Sequence, residues 1–304
     1  MFIYTSIRIN FRGDCYHVGM LITSIQNPRI KAVSKLLQSR GRRKSGQFLV
    51  ERDREIQRAI KQGFKLDELY WNPRRWPEGE TPQSLWGVSD HRVTQVSDNV
   101  MAKMVFSENP QGVVAIFSQK QWDLSDLFNA DQAGLWLVTV GIEKPGNFGA
   151  IARTAESAGC CGMLVVNGAN TTAMNRGGNS RDTSGGGGVD LYNPSAIRAS
   201  TGAIFSLPLI SLCEDEALAL LKEHGVQIIT TSDRAKMRWD QVDYRKPTAI
   251  VIGPEDTGLS DAWLTIDGDL QPVSIPMLGD NCDSLNASVA TGVLLYEAVR
   301  QRQK

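Results

Sequence analysis

The chain has 304 residues and is 41% hydrophobic, enough for one large domain or two ordinary ones, and no apolar run reaches membrane-spanning length. Its formal net charge is zero, but residues 1–130 carry 19 Lys and Arg against 13 Asp and Glu, and the remainder carries 14 against 20. Five cysteines without a C-x-x-C and three histidines without an H-E-x-x-H argue against a disulfide framework, a zinc site and histidine-based triads, and point to a reducing cytoplasm.

Residues 1–19 lack a charged-then-apolar leader with a cleavage site. They read as a disordered extension or an over-long start, with the first domain beginning near Met20. Residues 20–118 read as a small, basic α/β module. The turn Thr23-Ser24-Ile25-Gln26-Asn27-Pro28 leads into a helix around 28–40, and Arg40, Arg42, Arg43 and Lys44 crowd the next turn. These four cations are candidate phosphate contacts, or else a solvated basic turn. Phe48–Val50 is a short strand. The charged helix after it, through Gln62, aligns Ile56, Ala59 and Ile60 at helical spacing. Leu69–Trp71 and Val113–Phe117 are further strands. Trp71, Trp76 and Trp86 suit base stacking or, more simply, a core.

Residues 119–132 are polar and read as a linker. From 133 to 304, strands and helices alternate, the pattern of a parallel sheet covered by helices. Strands are expected at 135–140, 163–166, 207–210, 226–230, 249–252 and 273–275. Helices are expected at 147–158, capped by Asn147 and stopped by Gly159, and at 196–205, 214–224 and 289–302. A Gly/Asn/Ser/Thr-rich loop fills 168–190, with four glycines at 185–188.

Three segments carry chemistry. The first runs from Gly141 to Ala155 and joins a strand to a helix through a Gly/Pro turn, a usual ligand-facing place in α/β folds. It lacks a G-x-G-x-x-G, which argues against a dinucleotide-dependent oxidoreductase. The second, Ile250 to Leu259, ends a buried strand in Gly253-Pro254-Glu255-Asp256. Gly253 lets a ligand approach the backbone closely. Glu255 suits holding a polar ligand or an arginine, and it equally suits a helix start. The third is Ser274-Ile275-Pro276-Met277, a short loop, and Ser284-Leu285-Asn286-Ala287-Ser288 opening the last helix. Such helix starts offer unpaired N–H groups to ligands; the plainer reading is a capped helix, with Ser284 or Asn286 as the cap.

Taken in order, these segments resemble the SpoU (TrmH-type) RNA ribose 2′-O-methyltransferases of the knotted SPOUT superfamily. The matching motifs are Asn147-x-Gly149-x-x-x-Arg153, then Ile252-Gly253-x-Glu255-x-x-Gly258-Leu259, then Ile275-Pro276-Met277 with Ser284-Leu285-Asn286-Ala287-Ser288. Tyr192-Asn193-Pro194 and Arg198-Ala199-Ser200-x-Gly202-Ala203 also fit. Thr23-Ser24-x-x-Asn27-Pro28-x-Ile30-Lys31 resembles the family's ribosomal-protein-like RNA-recognition module, so the resemblance runs from about residue 20 to the end. Lys144 stands where the family usually has an acid. The 277–284 loop and the 168–190 segment are longer than usual.

The resemblance implies an α/β fold whose parallel sheet carries a C-terminal trefoil knot, beside a smaller N-terminal RNA-recognition domain. It implies S-adenosylmethionine as methyl donor, bound through backbone at Ile252, Gly253, Gly258, Ile275, Met277 and Leu285, and it implies no metal. Arg153 is the catalytic candidate, with Asn147, Glu255, Ser284 and Asn286 around it. Arginine holds its proton far above neutral pH and is a poor base, so its expected part is to orient the 2′-hydroxyl and stabilise charge developing on oxygen. Arg40, Arg42, Arg43 and Lys44 would meet RNA, ribosomal rather than transfer RNA. The family acts as homodimers through the knotted domain, so Arg153 and the donor are expected from different subunits. The competing expectations are a transfer-RNA enzyme and a non-catalytic RNA-binding member.

Overall fold

The computed structural model describes residues 21–76, 79–128, 134–167, 189–254, 256–264, 270–281 and 283–303. The proposed extension at 1–19, nearly all of the glycine-rich loop, Glu255 and Cys282 lie outside them. The chain divides into two units, one of residues 1–120 with Tyr192–Pro194, the other of residues 121–191 and 195–304.

In the first unit the elements are α1 (Pro28–Lys35), α2 (Ser39–Ser45), β1 (Gln47–Val50), α3 (Asp53–Lys61), β2 (Leu66–Trp71), α4 (Pro82–Trp86), β3 (Val93–Gln95), α5 (Asp98–Met104) and β4 (Val113–Ser118). The strands form one sheet in the order β1-β4-β2-β3, antiparallel except for β2 with β3. Ile30, Val33, Leu49, Tyr70, Val100, Met101 and Val114 are buried in its core. Tyr192 stacks on Phe48 at 4.4 Å between ring centres, and its hydroxyl donates to the Lys120 carbonyl at 2.9 Å.

The helix expected over 28–40 is two helices. Asn27 caps α1 by accepting from the Arg29 N–H at 2.9 Å, and α1 ends at Lys35. A Cβ on Gly41 would lie 1.9 Å from the Lys35 carbonyl oxygen, so only glycine lets α2 fold so tightly over the end of α1. The basic residues therefore sit on a helix rather than in a turn. Arg42 points inward: it is buried and donates to the Leu36 carbonyl at 2.5 Å, satisfying the end of α1. That placement overturns its expected role as a surface phosphate contact. Arg40, Arg43 and Lys44 are exposed.

The second unit comprises α6 (Leu124–Leu127), β5 (Leu135–Val140), α7 (Pro145–Ser157), β6 (Gly162–Val166), α8 (Pro194–Ala199), β7 (Leu209–Leu212), α9 (Glu214–Glu223), β8 (Gln227–Thr231), β9 (Met237–Arg238), β10 (Thr248–Ile252), α10 (Asp261–Leu264), β11 (Leu270–Ser274) and α11 (Ala287–Arg302). The stretch read as a linker thus holds a short helix. The expected 196–205 helix is interrupted by Thr201 and Gly202, both at positive φ, and resumes as a 3₁₀ turn at Ala203–Phe205. All seven strands are parallel, in the order β7-β6-β5-β10-β8-β11-β9.

Being covered on both faces, the central strands read as near-continuous apolar runs. Val138, Leu164, Ile228 and Val251 pack with α9 and Trp263 on one face. Leu137, Thr139, Ile250 and Ile252 alternate onto the other, the side of α7 and α11. A Cβ on Gly149 would meet the Ala196 carbonyl oxygen at 2.3 Å and the Ala199 Cβ at 2.7 Å, so α7 lies directly on α8 there. The C-terminus of α11 is anchored by Arg302, which donates to the carbonyls of Tyr244, Lys246 and Gly134. Nearby, the Arg300 guanidinium holds the buried Glu297 carboxyl below its ordinary range.

Gly149→Ala should destabilise the protein by about 1–3 kcal/mol through overpacking, lowering the melting midpoint by several degrees in calorimetry. An unchanged midpoint would contradict the close α7–α8 approach.

Candidate functional site

The site lies at the C-terminal edge of the seven-stranded sheet. Ligands of open α/β sheets bind outside the carboxyl ends of the strands, where the order switches direction. Here β5, β6 and β7 extend to one side, while β10 is inserted between β5 and β8. The register aligns Ile252 with Thr139, so the loops leaving β5 and β10 start side by side.

The first loop turns at Gly141, whose φ of +62° suits glycine and whose N–H donates to the Val166 carbonyl at 2.9 Å. Pro145 then occupies the first turn of α7, its fixed φ preorganising the helix. The helix therefore starts two residues earlier than expected. Asn147 is not its cap; it sits half-buried within the first turn. Arg153 lies one and a half turns further along, exposed, and among the described residues it has no carboxylate partner.

The second loop folds back on itself. The Gly258 N–H donates to the Pro254 carbonyl at 3.2 Å, and Gly258 has a φ of +68°. Buried Leu259 comes over Gly253, where an added Cβ would lie 2.9 Å from Leu259 Cδ2 and 3.1 Å from the Gly258 carbonyl carbon. The need for glycine at 253 thus arises from its own loop, not only from a ligand. Pro254 also reaches the first loop: its Cγ lies 3.2 Å from where a Cβ on Gly141 would be.

The third segment leaves β11 at Ser274. Ile275 is half-buried, Met277 is 37% exposed and Leu278 is 95% exposed. Ser284 is exposed and Leu285 half-buried. Of the two cap candidates, Asn286 is the one: its Oδ1 accepts from the Ser288 N–H at 3.0 Å. Its Nδ2 donates to Asn147 Oδ1 at 3.4 Å, a long bond that joins the third segment to the first. Behind this junction α7 and α11 run together, with a Cβ on Gly292 falling 3.9 Å from Thr154 Cγ2.

Asn147, Asn286, Gly141 and Pro254 therefore tie all three motifs to one edge. The Gly141–Pro254 approach was not anticipated, although the Gly-x-x-x-Pro spacing at 141–145 signalled a tight turn. Thr139 adds a polar group: it is 1% exposed, on the α7 and α11 face, and its hydroxyl has no partner among the described residues. Half-buried Ile275 and Leu285 offer apolar surface beside backbone N–H and C=O groups. Among the described residues no group of His, Cys, Asp and Glu is arranged to hold a metal ion, and no helix is long and apolar enough to cross a membrane.

Comparison with known proteins agrees with this geometry. The SpoU rRNA Methylase family model matches residues 182–296, and the MRM3-like substrate binding domain model matches residues 27–115. An uncharacterized tRNA/rRNA methyltransferase from Synechocystis is 33% identical, across 92% of this chain and 94% of that protein. A 23S rRNA (uridine(2479)-2′-O)-methyltransferase from Streptomyces viridochromogenes is 30% identical, across 96% of both. The Streptomyces viridochromogenes SpoU methyltransferase AviRb, solved with the cofactor AdoMet, superposes with a TM-score of 0.76, covering 92% of this chain and 99% of that one at 28% identity. A solved RNA 2′-O ribose methyltransferase is 37% identical with a TM-score of 0.75, covering 94% of this chain and 100% of that one. With its motifs gathered at one sheet edge and relatives matched along nearly its whole length, the chain belongs to the SpoU methyltransferase family.

Proposed function

We propose that this protein transfers a methyl group from S-adenosylmethionine to a ribose 2′-hydroxyl of ribosomal RNA. The observation that carries the reading is the joining of Asn147 to Asn286 and of Gly141 to Pro254, which unites the three motifs. Relatives named for 23S rRNA favour that substrate over transfer RNA. The cytoplasm, where such RNA is made in bacteria, is the proposed location.

The donor fits the edge described above. Ile252, Ile275 and Leu285 supply apolar wall, and the main chain at Gly253, Gly258, Met277 and Leu285 supplies groups that can read adenine. S-adenosylmethionine presents a sulfonium methyl: the ribose 2′-oxygen would attack its carbon in line, forming the O–CH3 bond as the S–CH3 bond breaks with its electron pair passing to sulfur, S-adenosylhomocysteine would leave, and the hydroxyl proton would pass to water. Arg153 orients the hydroxyl and stabilises negative charge growing on its oxygen. Asn147, Ser284 and Asn286 hold the site around it, and Glu255 is the proposed carboxylate partner of the ribose or of Arg153. Arg40, Arg43 and Lys44 approach RNA phosphates from the N-terminal unit.

The protein works as a homodimer through the knotted C-terminal domain. Val289 (51% exposed), half-buried Val293 and Tyr296 (52% exposed) form an apolar stripe along α11 that a second copy would cover. Gly292 lies on that stripe and faces Thr154, the neighbour of Arg153. A partner seated there would bring its donor site towards Arg153.

Arg153→Ala should lower kcat on a ribosomal RNA transcript by about 10²–10³-fold, with donor affinity in calorimetry essentially unchanged. Full activity in that variant would remove Arg153 from the mechanism. Tyr296→Asp should convert the dimer to monomer in sedimentation velocity and abolish turnover. An active monomer would contradict a site shared between subunits.

A further inference from the structure

Phe106 is 55% exposed, and among the described residues of the N-terminal unit it is the one large aromatic side chain open to solvent. Its backbone is nonetheless held firmly. The chain leaves α5 at buried Met104, and Val105 packs partly against the same core. The next residue, Phe106, exposes its ring. Glu51 fixes that turn: its carboxylate accepts from the Phe106 N–H, from the Ser107 N–H at 3.1 Å and from the Ser107 hydroxyl at 2.8 Å. At the far end of the loop the Asn72 N–H donates to the Gly112 carbonyl at 2.8 Å. The ring is therefore presented on a turn tied at both ends, so docking against it costs little ordering.

Cations stand beside this turn. Residues 20–50 hold seven Lys and Arg and no Asp or Glu. In α1, Ile30 and Val33 face the core, while Lys31 and Lys35, one turn apart, are exposed on the flank they share with Ser34. The Ser34 hydroxyl lies 3.1 Å from the Lys103 carbonyl oxygen, which sets that flank against the end of α5, three residues before Phe106. Lys103 is itself exposed. Two acids belong to this neighbourhood: Glu51, whose carboxylate is engaged by the turn, and exposed Glu108. Glu68 lies on the other flank of α1, paired with Arg29, and Asp98 at the far end of α5 is paired with Arg75. Exposed Arg40, Arg43 and Lys44 on α2 carry the same sign as the three lysines.

We propose that Phe106 is a stacking platform for one unpaired base of the RNA substrate, with Lys31, Lys35 and Lys103 on the flanking phosphates. The proposal rests on the RNA-methyltransferase reading and adds to it a contact that selects single-stranded over paired RNA. Every base has a π face, so an exposed ring accepts any base whose face is open, whereas a base inside a duplex has both faces covered. The excess of cations favours a polyanion over a protein partner.

The test uses the full chain with a labelled single-stranded oligoadenylate and an RNA duplex of equal length, read by fluorescence anisotropy at several salt concentrations. Phe106→Ala should weaken oligoadenylate binding about 5–30-fold, leave duplex binding unchanged and keep the melting midpoint. Phe106→Trp should retain the affinity, and Phe106→Leu, apolar without a ring, should not. Exchanging Lys31, Lys35 and Lys103 together for Gln should weaken both RNAs and flatten the plot of log Kd against log salt for the oligoadenylate by about 2. Unchanged oligoadenylate binding in Phe106→Ala overturns the proposal and leaves the ring to a protein partner. An equal loss on the duplex, a recovery by Leu as full as by Trp, or an unchanged salt slope in the lysine variant also overturns it. If any of these is found while the wild-type protein methylates ribosomal RNA, the platform alone is wrong; if the wild-type protein transfers no methyl group, the function on which the platform rests is wrong.

Discussion

The position of β10 governs the rest of the structure. This strand comes late in the chain but lies between β5 and β8, bonded to both. A parallel sheet carries all its carboxyl ends to one edge, so inserting β10 there sets the loop after Ile252 beside the loop after Val140. Pro254 then comes so near Gly141 that a Cβ there would lie 3.2 Å from its Cγ. The third segment joins through Asn286, which starts α11 and reaches Asn147 in the first turn of α7. No one of these segments is a site alone; the strand order makes them one.

Much of this was legible because parallel, doubly covered strands leave plain apolar runs and because Pro, Gly and Asn punctuate them. The central strands fell within a residue or two of expectation. What was hidden depended on the third dimension. Asn147 was read as a cap because Asn favours caps, but Pro145 fixes the helix start earlier and leaves Asn147 to meet Asn286. Arg42 looked like its neighbours in sequence, yet the tight crossing at Gly41 turns it onto the Leu36 carbonyl. Gly253 was read as room for a ligand, and part of that room is taken by Leu259.

The two units divide the labour of an RNA-modifying enzyme. The C-terminal unit carries the three motifs, whose proposed work is methyl transfer from S-adenosylmethionine to a ribose. The N-terminal unit carries the basic excess, which suits contacts to RNA phosphates.

Which atom receives the methyl group can be read directly. Ribosomal RNA lacking the modification, incubated with the purified protein and S-adenosylmethionine, is to be digested to nucleosides and resolved by mass spectrometry. One new 2′-O-methylnucleoside is expected, with the added mass on the ribose fragment. A methyl group on the base fragment, or no added methyl, would contradict it.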